Sequence, residues 1–139
     1  MSSKLQAFLK PTKIDVTQEI IISDRFLDEK GKPAKITIKA ITQEENNKLI
    51  KLSTRTQKDK GQVYESLDRL NYQARLIVAC TVEPDFATKE ICDAYGVVNP
   101  LDVPAKMFFS GEYGKFVDAI MKLNGFKDAE ELDEEAKNF

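Results

Sequence analysis

The chain has 139 residues, 42% hydrophobic and 32% charged, with a formal net charge of −2. That balance suits one ordinary globular domain with its own core, excludes a disordered polyelectrolyte, and gives the molecule as a whole no bias toward nucleic acid or acidic lipid, whose binding would need a local patch. There is no histidine and there are two cysteines, which excludes Ser-His-Asp and Cys-His nucleophilic sites, histidine-containing zinc sites and a four-cysteine zinc site.

Residues 1–12 read as an N-terminal arm. Leu5, Phe8 and Leu9 are apolar, and Pro11 stops any helix begun there. No basic start precedes a long apolar run, so the segment does not read as a secretory signal. Residues 13–139 read as a single globular domain. From Lys13 to Ile22 the period is two, with Ile14, Val16, Ile20 and Ile22 on one face. Ala34 to Ile41 repeats the pattern through Ile36, Ile38 and Ala40. The turn-rich Asp28–Pro33 stretch between them makes a β-hairpin or small antiparallel sheet the expected start of the fold.

After Ile41 the period becomes helical. Thr42 and Glu45 form a capping box that opens a helix expected to reach about Gln57, weakly buried through Leu49 and Leu52. Lys58-Asp59-Lys60-Gly61 breaks it. A second helix follows, with Leu67, Leu70, Ala74, Ile77, Val78 and Thr81 on one stripe, and Pro84 ends it. Its run Leu76 to Cys80 is the longest apolar stretch, far short of a membrane span. Thr88 starts a short helix that ends at Gly96. Asn99-Pro100 caps another, with Leu101, Ala105 and Phe108 in line. Ser110 opens a longer one that buries Tyr113, Phe116, Ile120 and Leu123 and ends at Gly125. Asp128 with Glu131 caps an acidic C-terminal helix, about 128–138, striped by Leu132, Ala136 and Phe139. The expected class is α+β, mostly α: an N-terminal antiparallel hairpin followed by a cluster of about five to six helices.

Chemistry is thin. There is no G-x-x-x-x-G-K-[ST] loop, G-x-G-x-x-G turn or EF-hand loop. Asp85, Glu90 and Asp93 lie close in sequence, but ordinary surface and capping roles account for them. Cys80 and Cys92 fit reduced thiols behaving as small hydrophobes. Residues 48–60 are basic through Lys48, Lys51, Arg55, Lys58 and Lys60, without the interleaved aromatics of a nucleic-acid surface. Residues 128–139 are acidic, and their apolar stripe must dock on the core or on a partner. The two charged segments suit head-to-tail contact between copies, with Lys51 and Arg55 facing Glu131 and Glu134. These features point to a protein-binding protein without cofactor, metal or catalytic site, and to neither nucleic acid nor membrane as partner.

Several stretches together resemble a known family: Leu5 to Lys10, the strand-to-helix junction Lys35 to Asn46, Arg75 to Asp85 with its V-A-C-T-V-E-P-D run, Tyr95-Gly96, and Ser110-Gly-Glu-Tyr113 leading to Leu123-Asn-Gly-Phe126. Over nearly the whole chain the sequence is similar to the XkdN-like tail assembly chaperones of PBSX-type, contractile-tailed phages and prophages of Gram-positive bacteria. None of these stretches is a chemical motif; they mark a fold and a lineage. The resemblance implies a protein made in the cytoplasm of the bacterial host, absent from the mature particle, that binds the tape measure protein and keeps it soluble until the tail assembles. It also implies a longer, ribosomally frameshifted form of the same chain. The competing expectation is a structural tail or baseplate component retained in the particle.

Overall fold

The computed structural model describes residues 3–12 and 16–126. In chain order these hold α1 (Ser3–Leu9), β1 (Thr17–Ile20), β2 (Ile36–Lys39), α2 (Gln43–Ser53), β3 (Thr54–Asp59) and β4 (Gln62–Leu67). Then come α3 (Arg69–Cys80), β5 (Thr81–Glu83), α4 (Lys89–Ala94), a 3-10 turn (Pro100–Asp102), α5 (Val103–Met107) and α6 (Ser110–Leu123).

The expected antiparallel pair is present. β1 and β2 pair from Thr17↔Lys39 to Ile20↔Ile36. Between them, Asp28 Oδ1 accepts the Lys30 and Lys32 N–H groups at 2.8 and 3.0 Å, and Gly31 sits at φ +76°. Alternation puts Ile36 and Ile38 into the core and leaves Val16 outside it; Ile22 is buried just past the strand, and Ile14 lies outside the described residues. A third strand was not expected: β5 pairs antiparallel with β2 on its other side, giving the order β1-β2-β5. The expected helix therefore ends at Cys80, four residues before Pro84, because Thr81–Glu83 extends to complete the sheet.

The largest correction concerns residues 54–67. The capping box at Thr42 is formed, but α2 stops at Ser53 rather than near Gln57. The hydroxyls of Ser53 and Thr54 donate to the carbonyls of Leu49 and Ile50 at 2.8 and 2.7 Å and close the last turn. The chain then runs into a hairpin of two six-residue strands, β3 against β4. Lys60 and Gly61, expected to break a helix, are the two central residues of the turn, both with positive φ (52° and 78°), as a two-residue hairpin of primed type requires. Leu52 is exposed and Ile50 takes the buried place.

In α3 the buried face is Tyr72, Leu76, Ile77 and Cys80; of the expected stripe Ile77 and, just past the helix, Thr81 are buried, Leu67 and Val78 are partly covered, and Leu70 is exposed. Asp68 caps the helix through the Asn71 N–H, which puts Leu67 in β4 and Leu70 in an exposed first turn. The caps at Thr88 and Asn99 are formed, but Asn99 opens a 3-10 turn before a separate α5; of Leu101, Ala105 and Phe108, only Phe108 is buried. α6 runs from Ser110 to Leu123 as expected and buries Phe116, Val117, Ile120 and Met121, with Tyr113 and Leu123 partly covered. Gly96 (φ +66°) and Gly125 (φ +91°) each occupy the left-handed position after a helix. Beyond each, the Val97 and Phe126 N–H groups reach back to the Cys92 and Met121 carbonyls, at 3.0 and 2.9 Å.

The helices and sheet share one core. Its centre is a run of rings, Phe26 on Phe108 (5.8 Å), Phe108 on Phe116 (5.5 Å) and Phe86 on Phe116 (6.3 Å). Above it, Arg25 donates to both Glu112 oxygens, at 3.3 and 2.5 Å, and to the Met107 carbonyl at 3.1 Å. Its guanidinium lies 5.0 Å from the Phe26 ring centre and 4.1 Å from that of Phe109. Glu112 also accepts the Phe109 N–H at 2.8 Å, satisfying a free donor at the start of α6. The hydrogen bonds from Arg25, then Ser23 and the Phe109 N–H, hold the Glu112 carboxyl down at about 2. A folded value below the ordinary 4.5 means that this contribution is complete above that pH and is lost as pH falls toward about 2. Glu112→Gln is therefore expected to melt below the wild type at neutral pH, with the gap narrowing across that acid window. Thermal melts over a pH series check this, and a gap that does not change with pH would exclude the ionised pair as its source.

Candidate functional site: exposed apolar surface and a projecting hairpin

Among the described residues no three His, Cys, Asp or Glu side chains group as metal ligands, and no helix is long and apolar enough to cross a membrane. A partly open pocket of about 230 Å³ lies between the β2–α2 junction and the end of α6. Its amide side chains are committed to the fold. Asn124 accepts the Ile41 N–H at 2.9 Å and donates to the Ile120 carbonyl at 2.8 Å, and Asn46 accepts the Tyr72 hydroxyl at 2.5 Å. Cys80 and Cys92 are free and buried. Burial pushes the Cys80 thiol up to about 12, so it stays protonated and unreactive at neutral pH.

The exposed surface holds the arm residues singled out from sequence. In α1, Leu5, Phe8 and Leu9 fall at i, i+3 and i+4, on one helix face, and each exposes more than half its area, Phe8 87%. The structure leaves them outside the core. Leu132, Ala136 and Phe139, expected to form a second docking stripe, lie outside the described residues, as do Glu131 and Glu134. Lys51 is exposed on α2. Arg55 is not a loose cation: on β3 it pairs with Asp68, the cap of α3. The Asn71 N–H, and then Arg55, hold the Asp68 carboxyl below its ordinary range.

Other exposed apolar groups were not foreseen. A shallow groove of about 600 Å³ runs between the Arg55–Asp68 pair, α3 and the start of α6. Leu70 lies on it, 76% exposed, and Val98 and Phe109 are exposed elsewhere on the helical surface. On β4, Val63 and Tyr64 are 60% and 51% exposed. The hairpin stands clear of the core from Arg55 to Ser66. Its available signal was the lysine-glycine pair flanked by β-branched and aromatic residues, Thr54 and Thr56 before, Val63 and Tyr64 after. With no buried face, its alternation carried no apolar period to oppose the helical reading.

Gly61→Ala is expected to loosen the hairpin, because φ +78° is unfavourable for a side chain, while the core keeps its melting temperature. Amide exchange checks this: protection should fall in 54–67 alone. A global loss would make the hairpin part of the cooperative core.

Residues 5–137 match a family model described as the phage XkdN-like tail assembly chaperone protein. The chain is 36% identical over 138 residues to the phage-like element PBSX protein XkdN of Bacillus subtilis (strain 168), covering 95% of this chain and 93% of that protein. It is 38% identical over 124 residues to the protein YqbN of the same strain, covering 86% and 83% respectively. A crystal structure of the protein YqbN superposes with a TM-score of 0.73 at 31% identity, covering 86% of this chain and 95% of that one.

Proposed function

This chain belongs to the phage XkdN-like tail assembly chaperone family, and from that premise we propose that it binds the tape measure protein and keeps it soluble during tail assembly, without catalysis. The single observation that carries the reading is the apolar face of α1, Leu5, Phe8 and Leu9, which the chain's own core leaves uncovered. A holder of a long, apolar-patterned rod needs exposed apolar groups and several copies, since many weak contacts along one partner sum to strong retention. Leu132, Ala136 and Phe139 supply a second docking stripe in this reading. The site of action is the host cytoplasm, the protein leaves before the particle matures, and a frameshifted longer form works beside it. The competing reading, a structural tail or baseplate component, requires stoichiometric amounts in purified tails, which mass spectrometry measures.

Leu5→Ala combined with Phe8→Ala is expected to leave the melting temperature nearly unchanged, within about 0.5 kcal/mol of stability for exposed positions. The same variant should lose its ability to keep a tape measure segment in the supernatant on co-expression. A large loss of monomer stability would instead make the arm part of the core.

Copies of the chain are proposed to meet through Lys51 and Arg55 of one and Glu131 and Glu134 of the next. Arg55 would exchange Asp68 for its new partner. Such exposed pairs are screened beyond a Debye length of about 8 Å at physiological salt. Association through them should weaken steadily as salt rises, and sedimentation across a salt series reads it. Association that is indifferent to salt would exclude this contact.

A further inference from the structure

The described residues leave four strand edges without a neighbouring strand: the outer edges of β1 and β5, and both edges of the β3–β4 hairpin. Open edges invite pairing, and proteins blunt them by shortness or charge. β1 and β5 are four and three residues long, and β5 runs into Pro84. β3 carries Arg55, Lys58 and Asp59 and no large apolar side chain. β4 has neither defence: it is six residues long, has one charge, Glu65, and exposes Val63 and Tyr64.

The hairpin's geometry says which main-chain groups are on offer. The pair Asp59↔Gln62 closes a two-residue turn and is therefore a hydrogen-bonded pair. Alternation from there turns the N–H and C=O groups of Tyr64 and Ser66 toward β3 and those of Val63 and Glu65 away from it. The Asp68 N–H to Ser53 carbonyl bond at 2.8 Å continues the same alternation at the hairpin's base.

We propose that β4 is a strand-pairing edge and that its occupant is β4 of a second copy, the two hairpins forming one four-stranded sheet about a twofold axis through Tyr64. The strand is complementary to itself. Antiparallel pairing of Tyr64 with Tyr64 sets Val63 opposite Glu65, where both offer outward main-chain groups, and Gln62 opposite Ser66. No like charges meet directly. The register one step along would confront Glu65 with itself, which disfavours it. The hairpin also has a deficit that a second copy removes. Two strands without a buried face are marginal in water, and twofold pairing adds a ladder of main-chain hydrogen bonds to both copies at once. The inference concerns self-association and uses neither α1 nor the charged segments, so it stands or falls separately from tape measure binding.

Sedimentation of the full-length protein over a concentration series in high salt is the test, with amide exchange followed in the same samples. A dimer is expected that persists in salt, with the Val63 and Glu65 amides gaining protection as concentration rises. Val63→Lys and, separately, Glu65→Pro should give monomers; the proline removes a donor that the hairpin itself does not use. Should Glu65→Pro melt the hairpin, Val63→Lys carries the test, its hairpin amide shifts showing that the fold is kept. A monomer at every concentration overturns the proposal. So does a dimer unaffected by Val63→Lys, and one that dissolves in salt belongs to the charged contact instead.

Discussion

The structure depends on one buried contact set, the seat of Phe116 on α6. Its ring is fully enclosed and meets Phe108 from the end of α5 and Phe86 from the segment before α4; Phe108 in turn meets Phe26 from the β1–β2 connection. The β1–β2 connection, the segment before α4 and the consecutive helices α5 and α6 are thereby held by one run of rings, packed edge to face or tilted as aromatic quadrupoles favour. Everything else is arranged around the consequence. α3 and β2 must present Tyr72, Ile77, Cys80 and Ile38 to the same interior, and all four are fully buried. A core of this size is filled by one face of each element, which leaves the α1 face and the hairpin without a place in it.

The residues that carry the family likeness explain themselves in this light. Glu112, in the Gly-Glu-Tyr stretch, anchors Arg25 and starts α6. Asn124, in the Asn-Gly-Phe stretch, holds the Ile41 N–H, so the late signature and the strand-to-helix junction are two halves of one contact. Asn46 at the end of that junction receives the Tyr72 hydroxyl, and Asp85 of the Val-Glu-Pro-Asp run accepts the Ala87 N–H. Each is a polar group that satisfies backbone or buried donors. These stretches record architecture, whereas Leu5 to Lys10, the first of the stretches that carry the likeness, holds the exposed face of α1.

The exposed surfaces of α1 and β4 differ in kind. α1 offers side chains on a helix face, suited to an apolar-patterned partner. β4 offers main chain, suited to another strand. Under the proposed function both have a use, since side-chain contacts to a rod can be many and weak while a self-pairing edge would set how copies are spaced. The two roles fall on different residues: the rings fill the core and the Arg25–Glu112 pair ties the β1–β2 connection to α6, while the α1 face and β4 lie outside that core.

Local chemistry decided much of this protein from sequence alone. The Thr42 capping box, the Thr88 and Asn99 caps, the glycines at 96 and 125, the alternation through Ile36 and Ile38, and the span of α6 are all written within a few residues of where they act. The exposed arm was legible too, because three large apolar groups ahead of Pro11 had no partner nearby in the chain. Tertiary structure decided the rest. Thr81–Glu83 became a strand because β2 had an open side to receive it, and nothing within the segment says so. The buried face of α3 was set by its packing, which put Tyr72 in the core with its hydroxyl on Asn46 of α2 and left Leu70 outside. The hairpin escaped because a strand pair with both faces in water has no hydrophobic period to read. Its only local marks are a turn that demands positive φ and side chains that tolerate extension, and neither outweighs an amphipathic helical pattern until the neighbouring elements have claimed the core.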